Sequence, residues 1–568
     1  MENLLADGSF YFTPGGEDLT RVLQLGDAPP DERFVWNGQG RAALTALLDG
    51  PLSAVGEACV VDLMRGYVGM RTLPMVPSTT LLVIARRSRH RVGFRFKSRG
   101  ADVKGNCSNY VETEQIVMHH GHVAAYVQVR GSVPIFWRQD GDMAVKPKIR
   151  FGGDDDDDVA RQSADAFNKH MHGQIAMYGG SVTAVTLLKD KGEEKKLQDR
   201  FIDMVHSLDL PEEILRIVMF DFSGATKRVG AEMAQQLLNE ATEMDQDRFG
   251  YFRRDPEGKL LEAQRGVFRI NCLDCLDRTN VVMALFARRV LLQTLNALDL
   301  IPTTPSVETI EPIQAAHTSV WTEHGHAMSR QYAGSDALKT DITETGRRTT
   351  RGRIRDGVSS MRRYVSNNFR DAVRLKTVGV LLGTYSFDVD SWDKEVAAAM
   401  EKCRGSLTRK YADEKIVAVW FAISVSKLGV EQECILILTQ SAYHRFMYNF
   451  IDAEIMREDR VALTDVKEVI SAYVSPPTGS SALKKLWGKA KNLKGGNKDA
   501  ADEYSEDGDA AKGKTTSAYY AMHIKRGRGK TKTFKAMQLG GLSLEEHRVI
   551  TEMTKTFQAT LAAVPKSP

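Results

Sequence analysis

A chain of 568 residues, 42% hydrophobic and 26% charged, is too long for one ordinary domain and has enough apolar residues for roughly two to four cores. A formal net charge of only +4 argues against general nucleic-acid binding, while leaving room for a local basic face. Six scattered cysteines make no dense disulfide framework, which favours a reducing, cytosolic compartment, and no run reaches the ~18 apolar residues of a spanning helix.

The opening stretch MENLLADGSFYFTPGGEDLT has acidic residues and no basic segment ahead of an apolar core, so no secretory signal is expected there. The first third reads as strand-rich. TTLLVIARRS runs apolar into a basic turn, and HVAAYVQVRGSVPIFW alternates and carries aromatics, as half-buried strands do. GGDDDDD (152–158) is expected to be a solvated loop, because five like charges repel one another.

From about residue 160 the pattern becomes mixed. ADAFNKHMHGQIAMYG has helical spacing, ILRIVMFDF (214–222) reads as a buried strand, and GAEMAQQLLNEATEM as an amphipathic helix. GVFRI predicts a short strand and TNVVMALFARRVLLQTLNAL a long helix, and strand alternating with helix implies an α/β core. Asp221, at a predicted strand end, reads as a turn residue. Past 377, VGVLLGTY, IVAVWFAISV, ECILILTQSAYHRFMYNF and DRVALTDVKEVISAYV are expected to be consecutive β segments. Residues 475–517, rich in Gly, Ser, Lys and Asp, are expected to be a disordered insertion, and the stretch from Ser543 closes the chain as a helix.

The densest chemistry lies in FRINCLDCLDRTNVV (268–282). From Cys272 the pattern is cysteine, five residues, Arg278, then Thr279, with a predicted strand before it and a helix after it. Loop N–H groups facing inward and a helix N-terminus suit a phosphate. The same field would lower the Cys272 pKa from about 8.5 into the range of roughly 3.5–7.5, giving a thiolate able to attack phosphorus. Arg278 offers a planar fork to two phosphoryl oxygens, and the Thr279 hydroxyl could bond the thiolate or cap the helix. An acid must protonate the leaving oxygen; Asp277, beside Arg278, is favoured and Asp274 is the alternative, since either could merely orient the arginine. Leu273, Cys275 and Leu276 complete the loop backbone. A structural zinc site would need more ligands at matching spacing. A dithiol pair would leave Asp277, Arg278 and Thr279 unexplained. Cys275 reads as a small buried neighbour.

With these residues in view, the chain resembles the Sac-domain phosphoinositide phosphatases, whose loop is close to R-T-N-C-x-D-C-L-D-R-T-N and stands here as RINCLDCLDRTN. SFYFTPGGEDLTRVLQ, DERFVWN, RRSRHRVGFRFKSRGADVKGNCSNYVETEQIV, VQVRGSVPIFW, FDFS, QYAGSDALKTDITETGRRT and DGVSSMRRYVSNNFRDAVR follow in the family's order, covering residues 9 to 376. Ile270 and Met283 depart from the usual pattern without removing a reacting group. A weaker likeness links the segment beginning CILILTQ to the homology domain that follows the Sac domain in one soluble subgroup.

The resemblance implies an α+β multidomain protein: a β-rich Sac N-terminal subdomain (1–160), an α/β Cys-x5-Arg phosphatase subdomain (161–376), and a PH-like β domain with a closing helix (377–568). It implies metal-independent removal of a phosphate from the inositol ring of a membrane lipid, without a cofactor. Cys272 would be the nucleophile, Arg278 the phosphate binder and the loop aspartates the acid and base. Phosphatidylinositol 4-phosphate is the leading substrate, with the 3-phosphate and 3,5-bisphosphate open. Arg130 and Lys339 are candidate substrate or supporting contacts, with structural ion pairs as the alternative. Residues 347–376, carrying ten Arg/Lys against two Asp, would favour an anionic leaflet by about 1 kcal/mol per charge. Partners are thus an anionic phosphoinositide membrane surface on endosomes, Golgi or plasma membrane, and no nucleic acid. A homodimer or protein partner through the C-terminal domain has no residue-level signal. The rival readings are a membrane-binding scaffold with a vestigial site and a protein phosphatase.

Overall fold

The structure is a computed structural model. It describes residues 2–5, 7–13, 18–47, 61–94, 98–139, 148–152, 157–271, 273–274, 276–337, 371–384, 389–425, 431–449, 454–474, 519–527, 531–536 and 543–564. The chain divides into two compact units, Met1–Ser386 and Phe387–Pro568.

The first unit is built on a mixed sheet. Strands β1 (Phe10–Tyr11), β2 (Met64–Thr72), β3 (Thr79–Arg87), β4 (Val111–His119) and β5 (His122–Gly131) form an antiparallel run. Beyond a small hairpin of β6 (Trp137–Gln139) and β7 (Ile149–Phe151), the chain adds β8 (Val182–Thr186) and β9 (Leu215–Met219). The short pair β10 (Phe252–Arg254) and β11 (Leu260–Glu262) follows, and then β12 (Val267–Asn271). The main order is β1-β2-β3-β4-β5-β12-β8-β9. β12 enters between β5 and β8, parallel to both, so that Gly131, Asn271 and Thr186 lie level at one end.

Every residue of β12 is buried, as expected of a parallel strand covered on both faces. Phe268 and Ile270 join one core, with Val282 and Phe286 of the following helix. Val267 joins the other, with Phe167, Leu197 and Phe201. Helices α1 (Asp157–Met177) and α2 (Gly192–His206) supply that second face. α3 (Phe222–Val229), α4 (Ala231–Phe249), α5 (Asp277–Ala297) and α6 (Val307–Ala333) contribute to the first.

Three expectations need correction. ILRIVMFDF does form a strand, but β9 is the sheet's edge, with Leu215 and Val218 buried and Met219 exposed. Asp157 and Asp158 of the acidic run open α1, where the helix dipole favours negative charge; residues 153–156 lie outside the described residues. VGVLLGTY is helical rather than extended: its residues through Leu382 end α7 (Asp371–Leu382). Val378, Leu381 and Leu382, spaced three and four apart, pack with Leu4, Trp36 and Phe94. Gly383 at φ 68° then ends the helix, its N–H donating to Val380 O and that of Thr384 to Gly379 O, a Schellman termination that glycine permits.

The second unit carries a seven-stranded antiparallel sheet in the order β16-β15-β14-β13-β19-β18-β17. The strands are β13 (Ile416–Val425), β14 (Glu431–Thr439), β15 (Ala442–Asn449), β16 (Glu454–Ala462), β17 (Val466–Val474), β18 (Tyr519–Arg526) and β19 (Thr531–Lys535). β16 and β17 sit at opposite ends of that order, yet a three-residue 3-10 turn joins them. A connection that short reaches only about 10 Å, so the sheet curls until its edges approach. α8 (Val389–Lys410) covers one face through Ala399, Cys403 and Leu407. α9 (Ser543–Ala562) closes the other through Ile550, Met553 and Phe557. The expected insertion at 475–517 lies outside the described residues.

Candidate active site

The loop after β12 leaves the sheet where β5, β12 and β8 end together, the edge at which parallel α/β sheets carry their ligands. Cys272 and Cys275 lie outside the described residues, as do Lys339 and the basic stretch 347–370; the loop is defined by Leu273, Asp274 and the residues from Leu276 onward.

Two anchors hold the strand beneath it. The Leu187 N–H donates to Asn271 O at 2.9 Å, tying the end of β8 to that of β12. On the other face Arg269 is fully buried, donating from Nη2 to Ser132 O at 2.8 Å and from Nε to His170 Nε2 at 3.0 Å. Burial and the Arg269 charge push the His170 pKa well down, so the ring is neutral, and its Nδ1–H donates to Gly105 O at 2.8 Å.

Arg99 organises the first half of the loop. Its Nη1 donates to Leu273 O at 2.8 Å and its Nη2 to Asp274 Oδ1 at 2.7 Å. Gln139 Oε1 at 2.7 Å and Tyr332 Oη at 3.2 Å also accept from it, and it lies over the Trp137 ring. Asn109 Nδ2 donates to Asp274 O at 3.3 Å. Leu276 packs against Tyr332 and Ala333 and fixes the loop's far side.

Asp277 is the first residue of α5, and Leu276 O accepts the Asn280 N–H at 2.9 Å. Arg278 Nη1 donates to Leu187 O at 2.6 Å and to Glu194 Oε2 at 2.8 Å. Burial raises the Glu194 pKa, but the Arg278 charge and the bonds from Lys189 and Arg278 outweigh it and hold the group below the usual carboxylate range. Thr279 is fully buried, and its hydroxyl has no hydrogen-bond partner among the described residues; the same holds for the Asn271 side-chain amide and the Thr186 hydroxyl. Buried polar atoms without partners are costly, so the end of β12 holds polar capacity that the described scaffold leaves unused.

Arg130 reaches the site from beneath: fully buried, it bonds through Nη1 to Asn280 Oδ1 in the first turn of α5. Asp221 is the N-cap of α3, accepting the Gly224 N–H at 2.8 Å. Asp274, Asp277, Arg278 and Thr279 therefore cluster along one loop and helix start, and Arg130 supports them from within. Arg99 and Glu194 were missed by the sequence reading. Arg99 stood among many basic residues and Glu194 in a polar helix start, so neither carried a spacing signal. Among the described residues no group of three or more metal-ligating side chains is arranged to hold an ion, and no helix is long and apolar enough to cross a membrane.

Comparison with known proteins meets this geometry. The SacI homology domain matches residues 1–227, and the hSac2 domain, described as an inositol phosphatase, matches residues 388–485. The chain belongs to the Sac-domain family. This Sac-domain chain is 35% identical over 401 residues to phosphatidylinositol-3-phosphatase SAC1-B of Danio rerio, covering 68% of the chain and 66% of the relative. Phosphatidylinositide phosphatase SAC2 of Danio rerio is 32% identical over 521 residues, covering 81% of this chain and 45% of the relative. The Sac-domain chain thus spans just under two thirds of the first relative's length and less than half of the second's. A solved hSac2 domain from human phosphoinositide phosphatase Sac2 aligns with 29% of the chain and 85% of its own at 16% identity and TM-score 0.19.

Proposed function

We propose that this protein is a phosphoinositide phosphatase that removes a monophosphate from the inositol ring of a membrane lipid, with phosphatidylinositol 4-phosphate as leading substrate. The observation that carries the reading is the Cys-x5-Arg-Thr loop at the C-terminal end of a buried parallel strand, running into the N-terminus of α5. Relatives named as phosphoinositide phosphatases support the substrate class.

In this mechanism the Cys272 thiolate attacks phosphorus while the bond from phosphorus to the inositol oxygen breaks. Asp277 gives its proton to that oxygen, and Arg278 with the loop N–H groups holds the charge on the phosphoryl oxygens. Water then attacks the cysteinyl phosphate, Asp277 takes the water's proton, and the thiolate leaves with its electron pair. Asp274, paired with Arg99, keeps the loop's shape and leaves proton transfer to Asp277. Thr279 stabilises the thiolate through its hydroxyl. Lys339 is a substrate or supporting contact, the basic segment from 347 meets the anionic leaflet of endosomal, Golgi or plasma membranes, and the hSac2 domain is the route to any dimer or protein partner.

The test is turnover of all seven phosphoinositides in liposomes by the wild-type chain and by Cys272→Ser. The variant should release no phosphate while keeping the wild-type unfolding midpoint. Unchanged turnover would sink the mechanism, binding without turnover in the wild type would favour a scaffold, and preference for a phosphotyrosine peptide would favour a protein phosphatase.

A further inference from the structure

We infer that Glu194 is the positioning residue for Arg278, fixing the orientation of its guanidinium through Nη1. The inference rests on the phosphatase reading above and extends it to a residue on a different helix.

Glu194 is the third residue of α2, whose N-cap, Lys191, makes no side-chain capping bond. Its side chain turns back along the chain instead. Oε2 accepts the Lys189 N–H at 3.1 Å, and Oε1 binds the Lys189 ammonium group. Arg278 Nη1 completes the set at 2.8 Å on Oε2. Both carboxylate oxygens are thereby held, the group is largely buried, and it lies in a first helical turn, where the dipole favours an anion. The accompanying contact is equally rigid: Leu187 O, which accepts from the same Arg278 Nη1 at 2.6 Å, belongs to the residue whose N–H is tied to Asn271 O beside the loop.

An arginine side chain has several rotatable bonds, and a flexible phosphate ligand must be ordered each time substrate binds. Here the guanidinium is fixed through Nη1 by one carbonyl and one carboxylate on the scaffold. A guanidinium held in this way meets a phosphoryl group with its orientation already set. Lys189 offsets the negative charge that Glu194 brings, so the pocket stays attractive to an anion. Glu194 touches no substrate and acts through Arg278.

The experiment uses the full chain, with inorganic phosphate as the binding probe and a short-chain, water-soluble phosphatidylinositol 4-phosphate as substrate. Glu194→Gln keeps the shape and loses the charge. It should weaken phosphate binding, read by calorimetry, about tenfold, and lower kcat by roughly 10- to 100-fold, more than it raises KM. In an Arg278→Ala background the same change should alter phosphate affinity by less than about twofold, because coupled residues are not additive. Lys189→Met, which loosens Glu194 without touching the loop, should give a smaller loss in the same direction and covers the case in which Glu194→Gln unfolds. Equal losses in both Arg278 backgrounds would show a general structural role and overturn the proposal, as would unchanged or faster turnover. Coupled phosphate binding in a wild type that hydrolyses no phosphoinositide would uphold Glu194 and overturn the phosphatase reading; loss of turnover in Cys272→Ser without that coupling would do the reverse.

Discussion

Arg99 holds the first half of the loop from outside it. Four acceptors, two of them in the loop, converge on its two terminal nitrogens. Lysine, a point charge with three rotatable donors, cannot reproduce that fork. Removing the arginine takes the Arg99 pairing from Asp274, although a fifth of the Asp274 side chain stays in solvent. Breaking a fully buried pair costs about 3–5 kcal/mol, so Arg99→Ala is expected to cost about 2–3 kcal/mol here. The denaturant midpoint should fall accordingly, and phosphoinositide turnover should fall at least about tenfold even where the variant is fully folded. Arg99→Lys should recover most of the stability and little of the turnover. Wild-type turnover by folded Arg99→Ala would remove Arg99 from the account of the loop.

The elements transmit such effects through close contacts, and Gly325 marks one between α5 and α6. A Cβ there would lie 2.7 Å from Asn280 Nδ2 and 3.1 Å from its Cγ. Alanine would gain up to about 1 kcal/mol in helix propensity, against roughly 1–3 kcal/mol of overpacking. Gly325→Ala should therefore change stability little or lower it, while displacing Asn280 from Arg130 and disturbing the first turn of α5. Turnover should drop about tenfold at constant fold, measured as kcat beside the thermal midpoint; normal kcat would show that Asn280 relaxes without moving the loop. The same scale explains what could be read from sequence. The loop's reacting groups are local, seven residues from Cys272 to Arg278, so pattern alone brought them together. Their supports are not: Arg99 is 175 positions from Asp274, and Glu194 84 from Arg278, distances at which spacing carries no information. β3, β5 and β12 were legible because continuous apolar or alternating runs mark buried strands. VGVLLGTY was a short apolar run with the same look, and only the glycine at its end, read as a helix stop, separates the two cases. α8 went unread because its buried stripe among the described residues is Ala399, Cys403 and Leu407.

At the scale of the whole molecule, one buried charge network in the second unit ties several elements together, and pH tests it. In the second unit His444 is fully buried between two carboxylates, Nε2 at 2.8 Å from Glu414 Oε2 and Nδ1 at 2.9 Å from Glu458 Oε1. Arg460 and Thr439 also donate to Glu414, and Lys410 to Glu458. The network joins the end of α8, the segment after it, and strands β14 to β16. Burial would raise the Glu414 pKa, but hydrogen bonds from His444, Thr439 and Arg460 bring it from an ordinary 4.5 down to about 2. A depressed carboxylate stabilises the fold above its unfolded pKa, and that contribution disappears as pH falls through the folded value. Glu414 thus stabilises this unit at neutral pH and ceases to between about pH 4.5 and about pH 2. Calorimetry of the full chain at a series of pH values should resolve a transition that Glu414→Gln lowers near neutrality. The gap between wild type and variant should close as the solution is acidified through that window, because a protonated glutamate and a glutamine then present similar groups to His444. A gap that stayed constant down to about pH 2 would mean that Glu414 contributes through packing, with its charge playing no part.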